Sequence, residues 1–235
     1  MSARQLALDL PVRPARGRAD LFVSAPNARA LAALDGWRGW AGGRLVLIGS
    51  EGAGKTHLAH VWAEAAGAEV MAALDLAEDA VPGLPARLAV EDADRIAGDP
   101  AAERALFHLH NITAQRGGAL LLTARAAPAR WGLALPDLAS RLEAAPLAAI
   151  EPPDDALLSA LLIKQLGDRG LAASPAAIAY LAPRMERSAA AAGRLAEALN
   201  AAAFAEGRGV SRDLAARTLA EIEGGDLDRT APGAP

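Results

Sequence analysis

The 235-residue chain has no cysteine, few aromatic residues and almost no lysine. Without cysteine there is no disulfide framework, no thiolate metal site and no cysteine nucleophile. Aromatic residues make up 3% of the chain, and alanine supplies much of its 52% hydrophobic content, which predicts helices packed through small side chains. No apolar run approaches the length of a membrane span, and the first residues lack the apolar core of a signal peptide. We therefore expect a soluble, cytoplasmic protein.

Charge gives a second exclusion. The formal net charge is −4, which argues against a large surface for duplex DNA, because such surfaces are usually basic. A local basic patch stays compatible with this value. Lysine occurs only at Lys55 and Lys164, while arginine is common.

Lys55 belongs to the most informative segment of the chain. Residues 45–48 (Leu-Val-Leu-Ile) predict a buried strand, and a phosphate-loop pattern follows directly. Its residues are Gly49, Ser50, Glu51, Gly52, Ala53, Gly54, Lys55 and Thr56, with His57 opening a helix. Glycines let backbone N–H groups surround phosphates, the lysine reaches the terminal phosphates, and the threonine hydroxyl joins the Mg²⁺ shell. The alternative is a glycine-rich surface turn. We predict binding of ADP or ATP with Mg²⁺.

The remaining pattern predicts two domains. Apolar runs near 69–71, 87–90 and 119–123 alternate with helical segments, which indicates a parallel α/β sheet with flanking helices over residues 20–151. Beyond the Pro-Pro pair at 152–153 only helices are predicted, over 154–167, 175–183, 188–206 and 211–223. They form a small all-helical lid domain, residues 152–224. We expect a flexible linker at 13–19 and a disordered tail at 225–235.

Polar residues end two of the predicted strands. Glu91 and Asp92 follow the third strand, at a place we expect to adjoin the phosphate loop, where Glu91 would hold Mg²⁺ and Asp92 would orient water. The usual order of the two acids is reversed, so we expect Asp92 to fall short of the water and hydrolysis to be slow. A solvated turn at the end of the strand is the alternative. Thr123 is either a γ-phosphate sensor or an ordinary buried threonine. Arg125 is either a phosphate sensor or a loop arginine.

Residues 135–142 (Leu-Pro-Asp-Leu-Ala-Ser-Arg-Leu) resemble a segment of the DnaA-related family of AAA+ ATPases. The resemblance implies a P-loop AAA+ sheet with a helical lid, and it makes Arg141 an arginine finger for ATP bound by a neighbouring subunit. A structural arginine on a helix surface is the alternative. The family's entry segment, which lines the adenine pocket, is matched by Phe22, Val23 and Asn27, although Ala25 replaces its glycine.

The resemblance has two further consequences. Residues 5–10 resemble the peptide with which short regulatory members of the family dock on the DNA polymerase sliding clamp (beta subunit). The resemblance makes Gln5 the polar anchor and Leu6, Leu8 and Leu10 the apolar contacts. We expect the whole clamp-binding peptide to span residues 1–12. A frayed leader peptide is the alternative. In the lid, the family's sensor arginine falls on Gly193, so Arg194, one residue later, is the candidate. Arg187 lies further upstream.

The expected function is negative regulation of chromosomal replication initiation. The nucleotide-bound protein would dock on the clamp and stimulate ATP hydrolysis by the initiator DnaA through Arg141, contacting DNA only through the clamp. On this expectation the chain is at most a slow ATPase, and homo-oligomer formation stays open. The alternatives are a loader or adaptor for the initiator or helicase, and a self-sufficient P-loop ATPase.

Overall fold

A five-stranded parallel sheet forms the first part of the chain, in a computed structural model that describes residues 22–230. The strands are β1 (Arg44–Ile48), β2 (Glu69–Ala72), β3 (Arg87–Glu91), β4 (Ala119–Ala124) and β5 (Leu147–Ala149), in the order β2-β3-β4-β1-β5. All six residues of β4 are buried, as expected for a continuous apolar strand covered on both faces. The predicted parallel α/β sheet is confirmed.

Helices cover both faces of this sheet. They are α1 (Ala25–Asp35), α2 (Lys55–Ala66), α3 (Pro100–Gln115) and α4 (Pro136–Glu143). Alternate residues of β1 and β4 point to opposite faces, so Leu45 and Leu47 pack in the core with α1 and α2, whereas Val46 packs in the core with α3 and α4. The Asp99 carboxylate caps α3 by accepting from the N–H groups of Ala101 and Ala102, as the Asp-Pro start predicts.

Four helices follow and build a core of their own. They are α5 (Asp155–Gly167), α6 (Pro175–Leu181), α7 (Ala189–Glu206) and α8 (Arg212–Thr230). Side chains of Asp154, Ser174 and Ser188 cap the first three of them. Their buried core consists of leucine and alanine with isolated Ile, Val and Met side chains, which fits helices that pack closely through small residues. Within the described chain no helix is long and apolar enough to cross a membrane.

The structure departs from the sequence-based expectations at two places. Strand β5 was not predicted. Strand β4 lies between β3 and β1, and the charge of Asp92, at the end of β3, still acts on Lys55 in the phosphate loop. Helix α8 runs to Thr230, where a disordered tail from residue 225 was expected. The predicted clamp-binding peptide (Gln5, Leu6, Leu8, Leu10), the linker at 13–19 and residues 231–235 lie outside the described residues.

Candidate nucleotide site

The phosphate loop connects β1 to α2 and depends on two glycines. Gly52 has φ +70° and Gly54 has φ +98°, a region in which a side chain is strained. Gly54 is also the N-cap residue of α2 and provides no side-chain cap. The first N–H groups of α2 are thus left to an external acceptor, and a helix N-terminus favours an anion. This arrangement suits a bound phosphate.

Lys55 lies inside the loop with its side chain turned back onto the backbone. It is 8% exposed, and its Nζ donates to the carbonyl oxygens of Gly49 at 2.8 Å and Ser50 at 2.9 Å. Burial lowers the pKa of Lys55, while the negative charges of Asp92 and Asp94 oppose that effect. An ammonium whose hydrogen bonds within the described chain go to neutral carbonyl oxygens gains from an anionic partner. Thr56, by contrast, is exposed at the start of α2.

The two acids after β3 differ in their surroundings. The Oε1 atom of Glu91 is buried and has no hydrogen-bond partner within the described chain, which leaves it able to accept a hydrogen bond or to bind a cation. Asp92 adopts the left-handed conformation with φ 53°, and its N–H donates to Thr123 Oγ1 at 3.0 Å. Its carboxylate lies 3.8 Å from Arg95 Nη1 and is 45% exposed. Thr123, itself 1% exposed, therefore fixes the backbone of Asp92.

Asp94 and Arg125 complete the site, although no sequence pattern had predicted a role for Asp94. Asp94 Oδ2 accepts from the Arg125 N–H at 3.1 Å, whereas its Oδ1 is buried with no partner in the described residues. The Arg125 guanidinium lies 3.1 Å from the Glu51 carboxylate in the phosphate loop. Arg125 thus connects the end of β4 to the loop. The only signal for Asp94 in the sequence is its position two residues after the acidic pair Glu91 and Asp92 at the end of β3.

These groups fit a magnesium nucleotide. Glycine-shaped backbone, an open helix N-terminus and Lys55 are suited to phosphates, and two unpartnered carboxylate oxygens on Glu91 and Asp94 are the hard donors that Mg²⁺ prefers. Thr56 and Glu91 are the residues that would hold the ion, which would neutralise phosphate charge. His57, one residue after Thr56, is half-buried in the first turn of α2.

The entry segment is organised by Asn27. Its Nδ2 donates to the Phe22 carbonyl at 2.8 Å, and its Oδ1 accepts from the Ser24 N–H at 2.9 Å. The side chains of Phe22 and Val23, predicted to line an adenine pocket, are 47% and 53% exposed. Asn27 therefore fixes the backbone at the start of α1, while the two apolar side chains stand at the surface.

Helix α7 of the predicted lid domain contacts the phosphate loop at Gly52. The Ala189 N–H, in the first turn of α7, donates to the Gly52 carbonyl at 2.9 Å. A Cβ placed on Gly52 would lie 2.9 Å from Ala190 Cβ and 3.1 Å from Ser188 Cβ, so the lid packs onto the glycine itself. The conformation of the loop is thereby coupled to the position of α7.

The two candidate lid arginines are both engaged away from the loop. Arg194 Nη2 lies 2.8 Å from Glu186 Oε2, and both side chains are largely exposed. Arg187 Nη2 lies 2.7 Å from Asp155 Oδ1, and its Nη1 donates to the Pro153 carbonyl at 3.1 Å. Neither arginine touches the phosphate loop in this structure.

Arg141 lies at the opposite edge of the sheet from the phosphate loop. Its Nη1 donates to Asn111 Oδ1 at 3.0 Å, and its guanidinium lies 5.2 Å from the centre of the Phe107 ring, both on α3. Arg44, the first residue of β1, lies close enough to feel this charge. Burial, followed by the positive charge of Arg141, lowers the pKa of Arg44. Strand β1 separates that edge from the loop by about 13 Å. Arg141 is therefore not positioned to act on a nucleotide in its own loop.

Glu103 holds the segment that leads into α4. It is 1% exposed and accepts three backbone N–H groups: Gly98 at 2.9 Å, Ala134 at 3.0 Å and Leu135 at 2.7 Å. Burial raises the pKa of the Glu103 carboxyl, but the three N–H donors outweigh burial and leave it below the ordinary value. Leu135 is the N-cap residue of α4, so Glu103 positions the helix that carries Arg141. The sequence offered no signal for this role.

Several solved structures share the fold of this chain. Domain III of the Thermotoga maritima replication initiation protein DnaA superposes with a TM-score of 0.78 at 18% identity, over 90% of this chain and 98% of that one. This chain has the AAA+ fold. AMPPCP-bound DnaA from Aquifex aeolicus gives a TM-score of 0.63 at 19% identity, over 75% of this chain and 62% of that chain's length.

The fold extends to a second group of proteins. The Thermotoga maritima RuvB Holliday junction branch migration motor gives a TM-score of 0.69 at 17% identity, covering 88% of this chain and 72% of that one. No protein-family model matches the chain. The AAA+ architecture predicted from the phosphate loop and the segment around Arg141 is thus confirmed.

Proposed function

We propose that this chain is a nucleotide-binding regulator of the DnaA-related class, similar in role to Hda, the short DnaA relative that inactivates the initiator. One observation carries the proposal: Arg141 lies at the sheet edge opposite to the phosphate loop. A guanidinium there meets a nucleotide only in a neighbouring subunit, where it stabilises the charge that develops during phosphoryl transfer, an effect of ~10³–10⁵ in rate. The AAA+ fold shared with DnaA domain III supports such a neighbour.

In this proposal the chain's own nucleotide has a structural role. ADP or ATP with Mg²⁺ would bind at Lys55, Thr56 and Glu91 and hold the contact between Gly52 and the lid. The Asp92 carboxylate is partly exposed and faces Arg95, which supports slow hydrolysis at this site. Residues 5–10 would dock on the sliding clamp and bring Arg141 to the initiator's ATP.

The test measures hydrolysis of labelled ATP bound to the initiator, with clamp and DNA present. Wild-type protein should stimulate hydrolysis, and Arg141→Ala should abolish the stimulation while still binding the clamp. Arg130→Ala, which removes another exposed arginine from the same domain, is the matched control and should act as wild type. Equal stimulation by Arg141→Ala would rule out the arginine-finger role.

Two further measurements separate the alternatives. Deleting residues 1–12 should abolish capture by the clamp, whereas a helicase loader would retain its activity without them. Turnover of ATP by the isolated protein should be slow; turnover on the order of several per second, in the middle of the usual enzyme range, would instead identify a self-sufficient ATPase.

A further inference from the structure

A second cleft opens at the edge of the sheet where the strands begin, opposite to the phosphate loop. Its volume is about 520 Å³, within the range of small-molecule sites. Trp37, Arg38, Trp40 and Arg44 line it, together with the glycines Gly43 and Gly118. Gly118 permits the close packing of its floor, because a Cβ there would lie 1.9 Å from the Ala86 carbonyl oxygen.

The cleft is cationic. No carboxylate is among the described residues that line it. Arg44 donates to the Gly42 carbonyl and contacts His110 Nε2, and Arg38 lies over the Trp37 ring at 4.4 Å. By contrast, Arg125, Arg187 and Arg194 elsewhere in the molecule face carboxylates. Two arginines and no acid among the residues that line this cleft, in a protein of net charge −4, make its lining complementary to an anion.

Contacts within the chain hold the tryptophan rings of the cleft in place. Trp40 stacks on Trp62 with ring centres 5.3 Å apart and an interplanar angle of 20°, and its Nε1 donates to the Ala33 carbonyl at 2.8 Å. Trp37 meets Trp62 edge-on at 6.5 Å. An indole held in place loses little entropy when a flat ring packs against it. The chain has only four tryptophans, and three of them are in this group.

We propose that this cleft binds a nucleotide unit, with its phosphate on Arg38 and Arg44 and its base against Trp40. Guanidinium groups match phosphate geometry, and indole rings accept any base by stacking. A free nucleotide and one unit of a single-stranded nucleic acid share this chemistry. The site is separate from the phosphate loop and independent of the proposed regulatory function.

The experiment follows tryptophan fluorescence in the Lys55→Ala protein, which removes the contribution of the phosphate loop. The probes are thymidine monophosphate, a short oligo-dT, inorganic phosphate and an acidic peptide that contains tyrosine. We expect saturable quenching by thymidine monophosphate, by oligo-dT, or by both, which identifies the source. Binding should weaken at least ~10-fold when Arg38 and Arg44 are both replaced by glutamine, the loss expected for two charge-assisted hydrogen bonds.

The matched control replaces Arg104 and Arg130, two exposed arginines outside the cleft, and carries the same change of net charge. Arg38→Gln alone guards against misfolding, because the Arg38 side chain is exposed and lies over the Trp37 ring at the surface. It should weaken binding and leave the unfolding transition unchanged. The proposal is overturned if neither nucleotide probe binds, if the control weakens binding as much as the cleft variant, or if phosphate or the peptide binds as tightly as the nucleotide probes.

Discussion

Replacing His110 with glutamine should change how the stability of the protein depends on pH. His110 is 2% exposed on α3, with Nε2 against Arg44 and Nδ1 3.5 Å from Asn111 Oδ1. Burial, followed by the positive charge of Arg44, lowers the pKa of His110 from 6.5 to about 4. The neutral imidazole therefore accepts from Arg44 at neutral pH. Glutamine retains an acceptor there but takes up no proton.

The direction and size follow from proton linkage. Between pH 6.5 and pH 4 the unfolded chain binds a proton at this histidine and the folded protein does not, so the stability of the wild type falls as the pH falls. The slope approaches ~1.4 kcal/mol per pH unit, and the loss reaches about 3 kcal/mol near pH 4. Above pH 7 this group makes stability neither rise nor fall.

The assay is urea unfolding of wild type and His110→Gln at several pH values from 4 to 7.5. Subtracting the two free energies of unfolding cancels the carboxylates that both proteins share. The difference should shift in favour of the variant as the pH falls through this range. His108→Gln, in the same helix, is the matched control for the substitution. A difference that is flat with pH would refute the argument that His110 is held neutral between Arg44 and Asn111.

Three further predictions concern other parts of the site. Glu103→Ala should lower the free energy of unfolding by at least ~3 kcal/mol, because three backbone N–H groups lose a charged acceptor. Urea unfolding measures this loss, with Glu64→Ala at an exposed glutamate as the control. A loss below ~1 kcal/mol would contradict the prediction. Gly52→Ala should destabilise the protein by more than the ~1–2 kcal/mol expected from its positive φ alone, because the new Cβ would meet Ala190. Gly170→Ala is the control, since Gly170 has a matching φ of +72° and open space around it. Thermal unfolding measures both variants, and equal shifts of the midpoint would refute the contact between the lid and Gly52. Lys55→Ala should weaken ADP binding roughly 100-fold, the value of a strong charge-assisted hydrogen bond. Titration calorimetry measures the affinity, and Lys164→Ala, the control, should bind ADP as the wild type does. Unchanged affinity of the Lys55→Ala protein would show that Lys55 does not reach the phosphates.

Local sequence predicted the elements that carry strong local signals. The strand before the phosphate loop, the capped start of α3 and the Ser-Pro start of α6 all lie close to their predicted positions. Strand β5 escaped prediction because its residues, Leu147–Ala149, are few and rich in alanine, a poor strand former. It becomes a strand by pairing with β1, a contact remote in sequence.

In the candidate site, too, some features follow from local sequence and others do not. The phosphate loop follows from its pattern, because glycine and lysine spacing alone determine that chemistry. Glu103 and Asp94 act through partners about 30 residues away, and no local pattern marks such partners. The strand order that separates Glu91 from the phosphate-loop strand is likewise a property of the assembled sheet. Tertiary contacts, which a single sequence does not display, decided these features.

The placement of Lys55 and Arg141 at opposite edges of one sheet has a consequence for assembly. A contact in which the arginine edge of one molecule meets the phosphate edge of the next is heterologous, so repetition generates a ring or an open helical filament rather than a closed two-fold dimer. A protein that presents its arginine edge to the last subunit of such a filament occupies the position of the next subunit. If Arg141 acts on the initiator's ATP, this chain would end an initiator filament and hydrolyse its terminal nucleotide in the same encounter.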